Sequence, residues 1–136
     1  MVARRLVMFS SALLLVATIV ACGNGGGATA FNHSGSWTGV INDSVAGTGS
    51  VTVSISQSGN TLLGTWQATF DAGGVNSGSL EGIIRANDVV IELYPSQAMA
   101  CPYRIVAQRS GSTLSGTYVA FNCSIEISGS LSVTKQ

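Results

Sequence analysis

The sequence predicts an all-β protein built as a single eight-stranded antiparallel up-and-down meander barrel, with a two-sheet β-sandwich as the alternative. Three observations carry that expectation. From Ser36 onward apolar side chains recur with a period of two, which puts one side of each segment in a dry interior and the other in water. The alternation is broken about every 8 to 12 residues by Gly, Ser, Asn or Asp, the spacing of short strands joined by hairpins. All 17 glycines lie beyond the first 21 residues, several of them inside the alternating segments. A flat meander would expose two unpaired edges, and closure into a barrel removes both.

The strands follow in order. The first, near residues 36–42, sets Trp37, Gly39 and Ile41 on one face, and the second alternates Val51, Val53 and Ile55 with Thr52, Ser54 and Ser56. Others are expected near 61–70, 77–85, 89–94, 102–109 and 113–121. The last places Ile125, Ile127, Gly129, Leu131 and Val133 on the dry face, opposite Ser124, Glu126, Ser128, Ser130 and Ser132. Ser58-Gly59 and Ser110-Gly111 read as tight hairpin turns in which glycine supplies the positive φ. Gly39, Gly64 and Gly116 each lie two residues from Trp37, Trp66 or Tyr118, so a ring is expected to cover the missing side chain and help the sheet coil. The stretches Gln57–Trp66 and Arg109–Tyr118 are nearly alike at an offset of 52 residues. Carried along the chain, that offset superposes Trp37–Ile41 on Val89–Leu93 and suggests a duplicated four-strand unit; chance similarity among Ser- and Gly-rich hairpins is the alternative.

Residues 1–21 are organised differently. Arg4 and Arg5 precede an apolar stretch from Leu6 to Val20 that has the form of a secretory signal and, at about 15 residues, is shorter than the roughly 20 of a membrane span. Its end, Ile19-Val20-Ala21-Cys22, resembles the lipobox of bacterial lipoproteins. The resemblance implies cleavage before Cys22, acylation of that cysteine, and a protein tethered to the membrane without crossing it. With Gly23 rather than Asp next in line, it also implies sorting to the outer membrane in a double-membrane host. The domains expected are a signal peptide at 1–21, a lipidated cysteine and Gly-rich tether at 22–34, and a β-barrel at 35–136.

Cys101 and Cys123 remain as an even pair in an exported, disulfide-permissive setting, and a disulfide is expected between them. Two free thiols or a metal site are the alternatives, although no CxxC spacing or nearby histidine supports a metal. Without residues 1–21 the chain carries four basic and six acidic residues, a net charge of −2. That balance excludes the phosphate-neutralising surface of a nucleic-acid binder.

Gly35-Ser36-Trp37 and Asn60-Thr61-Leu62-Leu63-Gly64-Thr65-Trp66 resemble the opening strands of calycin barrels, avidins in particular. The likeness covers about 35 residues of turn and packing positions. It implies architecture and does not reach a biotin site, since Trp37 is followed by Thr38-Gly39-Val40-Ile41 rather than the Asn and Ser ligands of avidins.

Chemistry is sparse. His33 falls in the expected tether as a solvated residue, no Gly-x-Ser-x-Gly elbow is present, and Glu81, Glu92 and Glu126 fall on wet faces. No phosphate loop, metal cluster or cofactor motif is recognisable, so no catalytic residue, metal or cofactor is expected and the chain does not read as an enzyme. Trp37, Trp66, Tyr103 and Tyr118 point inward, either as the core of a filled barrel or as the lining of a small apolar cavity. The loop from Tyr94 to Ala100, ending at Cys101, covers a barrel mouth, touches a partner or serves as a clamp. The expected function is a lipid-anchored envelope protein whose barrel is a structural or interaction module for another envelope protein; the alternative is a tethered binder of a small apolar ligand.

Overall fold

The computed structural model describes residues 30–86 and 88–136. The expected signal, the lipobox with Cys22 and the tether as far as Thr29 lie outside the described residues. Eight strands follow one another: β1 (Gly35–Asp43), β2 (Gly47–Ser58), β3 (Thr61–Phe70), β4 (Val75–Ile84), β5 (Val89–Pro95), β6 (Tyr103–Ser110), β7 (Thr113–Ala120) and β8 (Ser128–Lys135). Each pairs antiparallel with the next, and β8 returns to β1, with Gly39 opposite Val133 and Ile41 opposite Leu131. The sheet is a closed barrel, which settles the choice against a sandwich.

The register follows from the alternation. A strand with one dry side has only one pairing that keeps all its apolar residues inside, since a one-residue slip would turn every one of them outward. Trp37, Val51, Ile55, Leu62, Leu80, Ile91, Ile105, Leu114 and Val133 meet in one buried cluster. Leu62 and Leu114, 52 residues apart, are both almost fully buried, and Gly59 and Gly111 turn their hairpins at φ +58° and +60°. The two halves of the chain thus set matching residues in matching places.

Two expectations change. The final strand begins at Ser128, and Ile125 is 59% exposed rather than inward. Asn122 adopts a left-handed φ of +50° and Cys123 is tied to Cys101, so residues 121–127 are held as a loop before pairing with β7 begins. The strand glycines also act differently. A side chain at Gly39 would overlap the Ser132 carbonyl oxygen, and Gly64 and Gly116 are blocked in the same way by carbonyls of Ser54 and Val106. There the neighbouring backbone fills the space, letting strands cross closely where the barrel bends. The ring over a glycine occurs elsewhere, where Tyr118 covers Gly129.

Candidate functional site at the barrel ends

Strand direction sorts the residues onto two ends. At one end β1 begins and β8 finishes, and Phe31–Ser34 pack across the opening; this is the plugged end. The packed unit accordingly starts at Phe31. His33, expected in a solvated tether, is only 4% exposed. Its ring stacks on Trp37 with centroids 6.3 Å apart, and Gln57 Oε1 accepts from the His33 backbone N–H at 2.7 Å and lies 3.1 Å from Nδ1. The sequence signal was present: Phe31, His33, Gly35 and Trp37 continue the parity of β1. The Phe31 ring sits 4.9 Å from His33, with the Arg109 guanidinium 4.3 Å and Lys135 Nζ 5.3 Å from its centre. Lys135 Nζ also donates to the Asn32 carbonyl at 2.7 Å. Burial first, then the charges of Arg109 and Lys135, push the His33 pKa below its ordinary value, against the raising effect of its bond to Gln57. His33 Nε2 is buried without a partner among the described residues.

The opposite end is closed by the loops after β5 and β7, joined by the Cys101–Cys123 disulfide with Cα atoms 5.6 Å apart; this is the stapled end. Phe121 N–H donates to the Pro102 carbonyl at 3.0 Å and the Arg104 guanidinium lies 4.9 Å from the Phe121 ring centre, so the two loops are bound by more than sulfur. Tyr94 belongs to β5 rather than to the loop; it hydrogen-bonds Glu92, which also pairs with Arg104 at 2.7 Å.

Just inside this end lies a polar group that the sequence reading passed over. The Tyr118 hydroxyl donates to Asp43 Oδ2 at 2.6 Å, while Asp43 Oδ1 accepts from the backbone N–H groups of Val45 and Ala46 at 2.8 Å each. One carboxylate thereby caps the β1–β2 turn and fixes a ring of β7. Burial, followed by that bond, drives the Tyr118 hydroxyl pKa far above its usual value. Tyr103 meets Tyr118 edge to face at 5.6 Å, and its pKa is raised too, chiefly by burial. Asn76 Oδ1 is buried nearby without a partner among the described residues. Strand parity could have found both Asp43 and Asn76, the first in step with Trp37 and Ile41 and the second with Gly78 and Leu80.

Of the four aromatic candidates, Trp37, Trp66 and Tyr118 are buried and Tyr103 is half-buried against the same cluster. Trp37 is completely buried and donates from Nε1 to the His33 carbonyl at 2.9 Å; Trp66 donates to the Ser79 carbonyl at 3.0 Å. With both indole N–H groups bound to backbone, neither offers a polar handle to a guest. Two small interior cavities lie among the described residues. One of about 30 Å³ is lined by Ile41, Val53, Trp66, Leu80, Leu93 and Leu131, and one of about 20 Å³ by Asp43, Trp66, Phe70, Asn76, Tyr103 and Tyr118. Each is on the scale of one water, against the roughly 300–1,000 Å³ of a ligand pocket. Outside, Leu63, Ile83, Val90 and Val106 line an open hollow of about 580 Å³ on the wall of β3 to β6.

No family model and no curated protein matches the chain. Solved structures do, and each of the following is a β-barrel. The structure of EF1p2_mFAP2b bound to DFHBI is 11% identical with a TM-score of 0.67, covering 76% of this chain and 93% of that one. A de novo designed fluorescence-activating β-barrel is 15% identical with a TM-score of 0.61 over 76% of this chain and 93% of its own. A redesigned barrel, mFAP1, bound to DFHBI, is 14% identical with a TM-score of 0.60 over 72% and 92%. At these identities the likeness is one of fold.

Proposed function

We propose that the protein is a lipid-anchored cell-envelope protein whose barrel is a non-catalytic module, acting through its outside rather than through a ligand inside. The observation that carries this reading is the filled interior: two cavities of about 30 and 20 Å³ leave no room for an apolar guest. Both tryptophans spend their polar groups on backbone, and a hollow in which Leu63, Ile83, Val90 and Val106 lie among Glu81, Arg85, Glu92 and Arg104 opens on the outer wall. The anchor rests on Ile19-Val20-Ala21-Cys22. Two experiments separate the parts of the reading. Cys22→Ser is expected to abolish palmitate labelling and membrane fractionation, and persistent labelling would overturn the anchor. Native mass spectrometry of protein from its own host is expected to show no bound small molecule.

A second reading has one observation in its favour. Two barrels of this fold are bound to DFHBI, and here the unpartnered Asn76 Oδ1 beside Tyr103 makes the stapled end the place where a planar apolar molecule with a hydrogen-bond donor would insert. Titration with DFHBI and a panel of lipids, read by tryptophan fluorescence, tests it. A saturable change reaching Trp66 would favour the binder over the filled module.

A further inference from the structure

We propose that the plugged end is a docking surface for anionic lipid headgroups, holding the barrel upright on the membrane with its stapled end facing away. The charges of the described residues are sorted along the barrel axis. Arg85, in the β4–β5 connection, Arg109, at the end of β6, and Lys135, at the end of β8, all lie at the plugged end, where the described acids are Asp88 in the same connection and Glu81 three residues inside the end of β4. Asp43, Asp71 and Glu126 lie at the stapled end. The described cation there, Arg104 at the start of β6, is paired with Glu92. A body with a net charge of −2 therefore presents a basic end and an acidic end.

The chain enters the barrel at the basic end. Phe31, against which Arg109 and Lys135 are held, is the first residue of the packed unit, and only residues 23–30 separate it from Cys22. A Gly-rich segment of about 9 residues reaches roughly 15 to 18 Å. This inference rests on the lipid-anchor reading for its biological setting: with Cys22 in the bilayer, the plugged end is the part of the barrel within reach of the headgroups. Each Lys or Arg brought to an anionic surface changes binding by about fivefold. Untethered, two or three such contacts bind weakly; on a short tether, which supplies millimolar effective concentration, the same preference suffices to select an orientation. Arg85 and Arg109 are exposed enough to make those contacts, and Lys135 and Arg109 also brace the plug by lying over Phe31.

The test uses the chain from residue 22 onward with Cys22→Ala, so that no acyl chain contributes, and measures its sedimentation with phosphatidylglycerol vesicles and with phosphatidylcholine vesicles. Binding is expected to phosphatidylglycerol alone, at about 20 mM salt and not at about 500 mM. Arg85→Gln, which no side-chain hydrogen bond among the described residues ties to the fold, is expected to weaken it about fivefold. Glu126→Gln, at the far end, is expected to leave it within about twofold, because the charge it removes lies a barrel's length from the headgroups, where its repulsion is already weakened by distance and salt. Equal binding to the two lipids, or none to either, would overturn the proposal. So would a Glu126→Gln effect as large as that of Arg85→Gln, which would mean that net charge rather than one end governs binding. Since no acyl chain is present, failure here speaks against docking and leaves lipidation to palmitate labelling.

Discussion

Asp43 shows how much one buried polar residue can organise. Its two oxygens take three donors, the Tyr118 hydroxyl and the N–H groups of Val45 and Ala46. Leaving buried donors unpaired costs about 1 to 3 kcal/mol each, whereas a bond removed together with its donor costs about 1. Asp43→Ala is therefore expected to destabilise the barrel by about 2 to 4 kcal/mol and Tyr118→Phe by about 1 to 1.5 kcal/mol. In a urea-unfolding double-mutant cycle the two losses should fall short of additivity, and full additivity would show that the bond is not made in solution. His33 gives a second test, through pH. Burial and the nearby cations lower its folded pKa from 6.5, so the unfolded chain binds the proton more readily than the folded one. Stability is then complete above the unfolded value and falls as the pH drops from about 6.5 toward the lowered one. The urea midpoint is expected to decrease between about pH 7.5 and 5.5, and His33→Gln to flatten that decrease; an unchanged slope in the variant would remove His33 from the account.

Among the elements, the strands were legible and the ends of the barrel were not. Every strand has one dry face, and a period of two is visible without knowledge of its partners, as with Val51, Val53 and Ile55. Ile125 continued the same alternation and misled, because nothing local reveals that Asn122 turns left-handed and that Cys123 is held by Cys101 before β8 begins. The glycines were legible as closure devices but not in their contacts, since Gly39 is required by the Ser132 carbonyl of β8, a strand that only closure brings beside it. The plug was missed because four residues with one aromatic and one histidine resemble linker in composition, although their parity matched β1. The disulfide was legible from the cysteine count and from the exported setting that residues 1–22 lead one to expect, and its energetic role follows from a loop of 22 residues. The double variant Cys101→Ser, Cys123→Ser is expected to lose about 3 kcal/mol. The loss should appear first as faster amide exchange in residues 121–127, while the β1–β8 pairing stays protected. Equal exchange throughout would mean that the staple supports the whole barrel and not its mouth.

At the scale of the molecule, closure and filling are separate achievements, and the sequence speaks to them unequally. Closure follows from eight one-sided strands whose exposed edges would otherwise pair with other chains. Filling depends on how side-chain volumes add up around the axis, which no single strand displays; hence the sequence favours Trp37, Trp66, Tyr103 and Tyr118 as core and leaves lining as the alternative. Trp66 lines both small cavities of the folded chain, as do Ile41 and Leu93, and is the largest of the three. Trp66→Ala would add the space of the ring itself to the cavities it lines, approaching the roughly 150 Å³ at which an engineered apolar cavity takes up benzene. The cost is expected to be about 3 to 5 kcal/mol, a large share of what a domain of this size holds in reserve. If the native barrel is full, benzene or indole should raise the melting temperature of Trp66→Ala in a concentration-dependent way and leave the native protein unmoved, since only a species with a binding site is stabilised by mass action. Equal stabilisation of both would show that the native interior already admits a guest. The filled-module reading would then give way to the binder.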